Sequence, residues 1–328
     1  MVLVIGGAGY IGSHVCRLLR LAGEPHLAFD NLERGFQASL PGTRLIVGDL
    51  RDPQALKRLF AERPDIDVVM HFAAYIEVGE SVLHPARFWR NNTYGVMVLL
   101  EAMREAGLDK IVFSSTAAIY GEPQAVPIPE THPTLPTSPY GDTKLAVERM
   151  LEAFDAAYGL RSVRLRYFNA AGAAEGGQIG EAHDPETHLI PRAILAAMGA
   201  LPELKVFGTD YDTPDGTCLR DYVHVDDLAE AHLLAVRWLR DGGASRTFNL
   251  GNGEGCSVRQ VIGAVSRATG LSVPHGEAPR RAGDPARLIA SSEAIQREFG
   301  WRPRYAELDA IVRTAWEWHR GHPRGYTT

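Results

Sequence analysis

Tyr140 and Lys144 stand four residues apart in "SPYGDTK", residues 138–144. On a helix that spacing puts a phenol and an ammonium on one face, about one turn apart. Alone, the pair reads as an exposed helix face with a snorkelling lysine. It gains chemical meaning from "FSSTAAIYG" at 113–121, where a β-rich run ends in three hydroxyls, Ser114, Ser115 and Thr116. A phenol with a pKa near ~10 is a poor base at neutral pH, and a close cation favours its ionised form. Hydroxyl, phenol and ammonium together make a set that can move a proton on or off a substrate alcohol. We expect Tyr140 to carry the proton, Thr116 to orient the alcohol, and Lys144 to lower the pKa of the phenol.

A second cluster opens the chain. "VLVIGGAGYIGSHVCRLL" holds Gly6, Gly9 and Gly12 as G-x-x-G-x-x-G between a strand-like run and an amphipathic helix starting at Tyr10 and Ile11. Such glycines suit a tight turn and close approach of backbone to a pyrophosphate, which the helix N-terminus attracts. Asp30, followed by Asn31, ends the next strand-like run, where an acid can accept hydrogen bonds from an adenosine ribose. Its charge would repel a 2′-phosphate, so NAD is favoured over NADP; Arg34 nearby is the residue that argues the other way. Asp49, beside Leu50 in "VGDL", suits the adenine edge or an N-cap for the following helix. Lys144 is expected to hydrogen-bond the nicotinamide ribose as well.

These groups need elements to hold them. β-rich runs alternate with helical patterns: "VLVI", "HLAF", "RLIV", "DVVMHF", "KIVFSS" and "SVRLRYF" are separated by helices at 10–22, 53–62, 85–106 and 138–158. That alternation predicts an α/β, doubly wound parallel sheet of Rossmann type, with ligands at the carboxyl edge of its strands. After Asn169 the texture becomes loop-like, rich in Gly, His and acids: "AAGAAEGGQIGEAHDPETH". Shorter mixed segments follow, with helices near 189–198, after "RDYVHVDD" to about 239, and near 258–269, 291–299 and 305–320. We therefore expect an NAD-binding domain from 1–170 and 217–250. A smaller mixed α/β substrate domain is expected from 171–216 and 251–328.

The composition narrows the function classes. With 328 residues, 45% apolar and 23% charged, the chain is an ordinary globular protein of two domains rather than a disordered one. Its formal charge of −6 and lack of a basic run disfavour nucleic acid and anionic membranes. No apolar run approaches the ~18 residues that span a bilayer, and the opening "MVLVIGG" is too short and uncharged for a signal peptide. Cys16, Cys218 and Cys256 fit neither a disulfide framework nor a zinc site and read as inert thiols, which suits the cytoplasm; no metal is expected.

Taken together, "GGAGYIGSH", "DNLERG", "HFAAYIEVGES", "NNTYG", "FSSTAAIYG", "SPYGDTK", "RYFNAAG", "HLIP", "CLRDYVHVDDLA", "FNLGNGEGCSV" and "RRAGDPARLIASS" resemble the extended short-chain dehydrogenase/reductase family. Within it the likeness is to the nucleotide-sugar 4-epimerases. The resemblance implies interconversion of UDP-galactose and UDP-glucose through a 4-keto intermediate, with NAD tightly bound. It carries over Phe72, Ala73, Ala74, Asn91, Ser114 and Phe168 as cofactor contacts. The UDP-sugar contacts it implies are Asn169, His188, Leu189, Phe207, Arg220, Arg281 and Asp284, together with Thr116 and Tyr140. It further implies a homodimer through helices near 85–106 and 138–158.

Two positions depart from the family pattern. Ile76 stands where some members have a lysine near the cofactor, and Leu288 falls near the position thought to govern acceptance of N-acetyl sugars. A related dehydratase would carry an Asp-Glu pair after the hydroxyl, whereas Thr116 is followed by Ala117 and Ala118. A pentose or uronate substrate is not separated from a hexose by these residues, and a non-catalytic NAD sensor would usually have lost the Tyr140/Lys144 pair.

Overall fold

Seven apolar runs pair into one parallel sheet in the computed structural model, which describes residues 1–281 and 284–326. They are β1 (Val2–Ile5), β2 (His26–Asp30), β3 (Leu45–Val47), β4 (Val68–His71), β5 (Lys110–Thr116), β6 (Arg161–Tyr167) and β11 (Arg246–Leu250). Their order is β3-β2-β1-β4-β5-β6-β11. In register, Val4 lies beside Ala28 on one side and Met70 on the other. The chain winds one way from β1 through β2 and β3, and the other way from β4 onward. A crevice therefore opens beyond the carboxyl ends of β1 and β4, where such sheets take ligands.

The helices begin and end where their sequences provide caps. In α1 (Tyr10–Leu21), Val15, Cys16 and Leu19 face the sheet, and Gly9 at the N-cap leaves the first-turn N–H groups without a capping side chain. In α6 (Pro139–Tyr158), the Ser138 hydroxyl accepts from Gly141 N and Pro139 sits at the first position. Gly159, in the left-handed region, ends that helix. In α2 (Pro53–Glu62) the cap is Asp52, which accepts from Gln54 N and Ala55 N. The capping role weighed for Asp49 is thus taken by the acid three residues later, because Pro53 fixes where the helix starts.

One expectation needs correction. The single helix expected over 85–106 is α4 (Pro85–Phe88), a π-helical segment at Trp89–Tyr94 and α5 (Gly95–Glu105), preceded by a short α3 (Val78–Leu83). The wider π turn carries buried Asn92, whose side chain accepts from Tyr75 N at 2.9 Å and donates to Tyr75 O at 2.9 Å. It also reaches Thr143 Oγ1 on α6 at 3.3 Å. Inserted π turns of this kind recur at functional sites.

The second lobe has its own core. β7 (Asn169–Ala171) pairs with β10 (Tyr222–His224), and β8 (Leu204–Phe207) with β13 (His275–Ala278). Around β9 (Leu219–Arg220) lie β12 (Cys256–Ser257) and β14 (Arg287–Leu288). The helices α7 (Leu189–Ala197), α9 (Val258–Thr269) and α11 (Leu308–Gly321) bury Ile194, Val261 and Ile311 together. Cys218 and Tyr222 also pack in this core. Ile295 of α10 (Glu293–Phe299) and Trp301 pack instead with α8 (Val225–Arg240) and the first sheet. Ala282, Gly283 and residues 327–328 lie outside the described residues.

Asp221, fully buried between β9 and β10, ties the lobes at backbone level. Oδ1 accepts from Asn252 N at 2.8 Å, and Oδ2 from Gly253 N and Ala290 N, both at 3.1 Å. Burial still lifts its pKa to about 6. Asp221→Asn sets an NH2 against at least one of these donors, so the expected loss is about 1–3 kcal/mol of unfolding free energy at neutral pH. Chemical denaturation of wild type and variant measures it.

Candidate active site

β5 and α6 assemble the proton-transfer set. Thr116 ends β5, and Tyr140 and Lys144 lie one turn apart on the buried face of α6, each at most 9% exposed. Lys144 Nζ donates to Ser114 O at 2.8 Å and lies 5.0 Å from the Phe113 ring centre. The Ser114 hydroxyl bonds the Tyr167 hydroxyl. The structure thus brings Ser114, Thr116, Tyr140 and Lys144 to one place at the carboxyl edge of the sheet.

The sequence reading has Lys144 and a nicotinamide cation together lower the phenol; the protein's own groups act on it the other way. Burial pushes Tyr140 up to about 12, partly opposed by the Thr116 hydroxyl and reinforced by the charge of Glu77. Lys144 itself is brought down to about 7 by burial, against the pull of Glu148. Loss of water around both groups outweighs the attraction expected between them. At neutral pH the protein's own field leaves Tyr140 protonated, as a proton donor.

A buried network behind the pair has no counterpart in the sequence reading. Glu148, one turn beyond Lys144, accepts from Ser115 Oγ at 2.5 Å and from Arg166 at 2.9 and 2.5 Å. Arg166 reaches the Tyr120 hydroxyl at 2.9 Å, which in turn donates to Asn249 Oδ1 at 2.7 Å. The signal was present in the i, i+4 spacing of Lys144 and Glu148. Ile76 packs with Ala118 against the cluster of Tyr75, Phe88 and Tyr140. Leu288 and Phe168 pack against Ile119, Tyr120 and Leu145.

The glycine loop fits a dinucleotide for a reason visible in its geometry. At Gly6 (φ +75°) a Cβ would meet Ala73 N at 2.5 Å, and at Gly12 it would meet Gly6 O at 2.2 Å, so the fold itself requires these two. At Gly9 the nearest atom would be Gly6 O at 3.4 Å. Packing does not demand glycine there; close approach of a ligand to the uncapped first turn does. Ile11 lies in that same turn, while the Tyr10 hydroxyl is spent on Gly172 O at 2.6 Å.

Beside the loop, Asp30 accepts from Ala8 N at 3.0 Å and Leu32 N at 2.8 Å, and burial raises its pKa. Asp49 is gripped by Arg51 at 2.8 and 2.6 Å and by Asn31 Nδ2 at 3.2 Å, which holds its carboxyl well below the usual range. Arg34 donates to Asp184 O at 2.7 Å and pairs with Glu77 at 3.4 Å. A guanidinium so engaged is a poor receiver for a 2′-phosphate. Phe72, Ala73 and Ala74 follow β4 at the crevice, Asn91 lies in the π segment, and Leu50 packs against α5.

Across the crevice, the second lobe gathers residues far apart in sequence. Arg220 and Arg281 both bond Asp284, the latter at 3.0 Å, and the Arg281 guanidinium sits 4.9 Å from the Phe207 ring centre. Asp284, expected to face ribose hydroxyls, is already an acceptor for both. Two guanidiniums about one carboxylate leave one positive charge beside an aromatic face. Asn169 donates to Asp221 O at 2.9 Å, and with Glu181, His188, Leu189 and Tyr222 it lines a narrow cleft. A wider depression between α9 and α11, lined by Glu254, Arg259 and Glu307, shares only Tyr222 with that cleft among the described residues.

Comparison with known proteins agrees over the whole chain. A model of the NAD dependent epimerase/dehydratase family matches residues 2–251. The UDP-glucose 4-epimerase of Halalkalibacterium halodurans is 52% identical over 327 residues, 100% of this chain and 98% of that protein. The crystal structure of UDP-glucose 4-epimerase from Brucella ovis in complex with NAD superposes with a TM-score of 0.94 at 48% identity, covering 96% of this chain and 97% of that one. The enzyme from Bifidobacterium longum in complex with NAD+ and UDP does so with a TM-score of 0.94 at 38% identity, covering 99% of each.

The glycines give a paired test. Gly9→Ala should keep wild-type thermal stability once the dinucleotide is stripped, yet lose NAD affinity by about tenfold or more, because only the ligand needs that space. Gly12→Ala should lower both, since its Cβ collides with backbone. Scanning calorimetry of stripped protein and titration with NAD read the two effects separately.

Proposed function

The chain belongs to the NAD dependent epimerase/dehydratase family, and from that membership we propose that it interconverts UDP-glucose and UDP-galactose by inverting C4. The observation that carries this reading is identity of about one half along the full length of UDP-glucose 4-epimerases. The assembly of Thr116, Tyr140 and Lys144 at the mouth of a dinucleotide crevice supports it. NAD, held between the glycine loop and β5, supplies the acceptor and later donor of the C4 hydrogen, and its positive ring favours ionisation of a neighbouring phenol.

The chain's own residues handle the proton. Thr116 fixes the C4 hydroxyl, and Tyr140 takes its proton as the alcohol becomes a ketone. Because burial otherwise keeps the phenol protonated, Tyr140 is then well suited to return that proton to the C4 oxygen once the keto sugar presents its other face. Between the two steps the 4-keto sugar must turn over while its nucleotide stays fixed. Arg220 and Arg281 hold the diphosphate with planar donor forks, and Phe207 packs against the uracil. Ala117 and Ala118 after Thr116 offer no acid for eliminating water, which separates this site from a dehydratase.

A homodimer is part of the proposal. Val82, Leu83, Trp89 and Tyr94 on α3 and the π segment, and Tyr158 at the end of α6, are each more than 40% exposed. Large apolar side chains in such number on neighbouring helices suit a four-helix contact with a second copy. Among the described residues no helix is long and apolar enough to cross a membrane.

Two measurements test the site. Tyr140→Phe should retain NAD and bind UDP normally while kcat falls by about 10²–10⁴-fold, the range for removing a general acid–base. Turnover near wild type would defeat the mechanism. Arg281→Ala should weaken UDP by about tenfold or more with NAD retention unchanged, read by titration calorimetry.

A further inference from the structure

The connection from β7 to α7, residues 172–188, contains neither helix nor strand. Loops of that length without elements of their own are uncommon in compact domains and need something to fix them. Within it, "EAHDPETH" sets Glu181, His183, Glu186 and His188 in the pattern E-x-H-x-x-E-x-H. One donor atom from each residue falls within 4.8 Å of all the others.

The separations are ion-pair distances that a small outward movement would bring to those of a coordination polyhedron. His188 Nδ1 lies 2.8 Å from Glu181 Oε1 and 3.0 Å from Glu186 Oε1, while His183 Nδ1 lies 3.1 Å from Glu181 Oε1 and 3.6 Å from Glu186 Oε2. Ligands about 2.1 Å from a tetrahedral zinc stand roughly 3.4 Å apart.

A second observation separates this from ordinary ion pairing. Glu181 is 3% exposed, yet its Oε1 makes no hydrogen bond, and neither does buried His183 Nδ1 only 3.1 Å away. These atoms stand at ion-pair distance without an aligned donor and acceptor between them. Burying such groups unpaired is costly, and a shared cation removes the cost.

The surroundings hold the donors in place, as they do around ligated metals. Thr187 N and His188 N donate to Glu186 Oε1 at 2.7 and 2.8 Å, and His188 Nδ1 bonds the same oxygen at 3.0 Å, a contact that a metal at Nδ1 would replace, with Oε2 as the ligating atom of that carboxylate. Trp318 Nε1 fixes the Glu181 carbonyl at 2.8 Å, and Arg192 the Glu186 carbonyl at 3.0 Å.

We propose that Glu181, His183, Glu186 and His188 bind one divalent transition-metal ion of the zinc class. Two imidazole nitrogens and two carboxylate oxygens, without thiolate, form a borderline donor set that suits it. Four protein ligands make the site structural. The ion fastens the loop beside Asn169 and Leu189, at the edge of the narrow cleft. Binding through Nδ1 leaves Nε2 of His188 as that ring's free nitrogen. The inference does not depend on which sugar the enzyme turns over.

The test uses the full-length, NAD-loaded protein prepared without a histidine tag. Metal is removed with a chelator, zinc is titrated calorimetrically, and bound metal is counted by mass spectrometry after gel filtration. The expected result is one zinc per chain at sub-micromolar affinity, with a melting temperature several degrees higher than that of the depleted protein. His183→Ala and Glu181→Ala should lose both the zinc and the zinc-dependent melting shift while keeping bound NAD and the wild-type circular dichroism. Should either variant fail to fold, Glu186→Gln should weaken zinc by about tenfold or more. Depleted wild type that takes up no zinc, or variants that bind it as wild type does, would overturn the site and leave protonated histidines paired with carboxylates.

Discussion

A lysine ammonium with almost no water around it is the constraint on which the catalytic region depends. Lys144 is 2% exposed, and burial lowers its pKa to about 7 even against the pull of Glu148. It keeps its place because the Ser114 carbonyl accepts one of its protons and Glu148 contributes negative charge one turn further along α6. Glu148 is itself buried and is held by the Arg166 fork and the Ser115 hydroxyl. Each charge justifies the next, and the series ends on neutral groups, Tyr120 and Asn249. Removing one partner from such a network costs more than the pair was worth, since the other is left charged and unpaired. The hydroxyls at the end of β5 divide the work, Ser115 anchoring α6 to the sheet and Thr116 facing the phenol.

Much of this site could be read in the sequence because its spacing is local. The four-residue step from Tyr140 to Lys144 and the glycine loop before α1 are one-turn and one-loop features, and the structure contains both. The π segment at Trp89–Tyr94 was hidden because one widened turn barely disturbs the apolar periodicity that marks a helix. The Asp49 capping role was misplaced although "RDP" held the clue, since an Asp followed by Pro at the first helical position marks a start. The upward push of burial on Tyr140 was not legible, because residue types reveal a cation but not the depth at which it and its neighbours are buried.

Long-range groupings were accessible only through family resemblance. Phe207, Arg220 and the Arg281–Asp284 pair come from different segments, and nothing in the spacing joins the three. The fold joins them by pairing β9 with β14, so that Leu288 lies beside Arg220 and the segment before β14 returns to the crevice. The histidine-rich loop shows the reverse. Its four donors are adjacent in sequence, but the composition of "AAGAAEGGQIGEAHDPETH" reads as loop, and only side-chain placement turns it into a cluster.

The charge distribution explains how an acidic protein can hold a ligand with two phosphates at each end of its site. At the dinucleotide, no cationic side chain is required: the uncapped first turn of α1 presents N–H groups and a partial positive charge at Gly9, where the backbone is bare. Arg34 and Arg51, the cations nearest that end, are engaged by protein acceptors. At the proposed sugar-nucleotide end the solution differs, with two guanidiniums sharing one carboxylate. Asp284 there reduces the repulsion between the two arginines while leaving a net positive charge. A backbone dipole holds its anion at a fixed place and is hard to displace, which suits a cofactor retained through turnover. Long side chains of which one, Arg281, is mostly exposed can open and close around an exchanging substrate, so the two ends of the site hold their anions by means matched to how long each must stay.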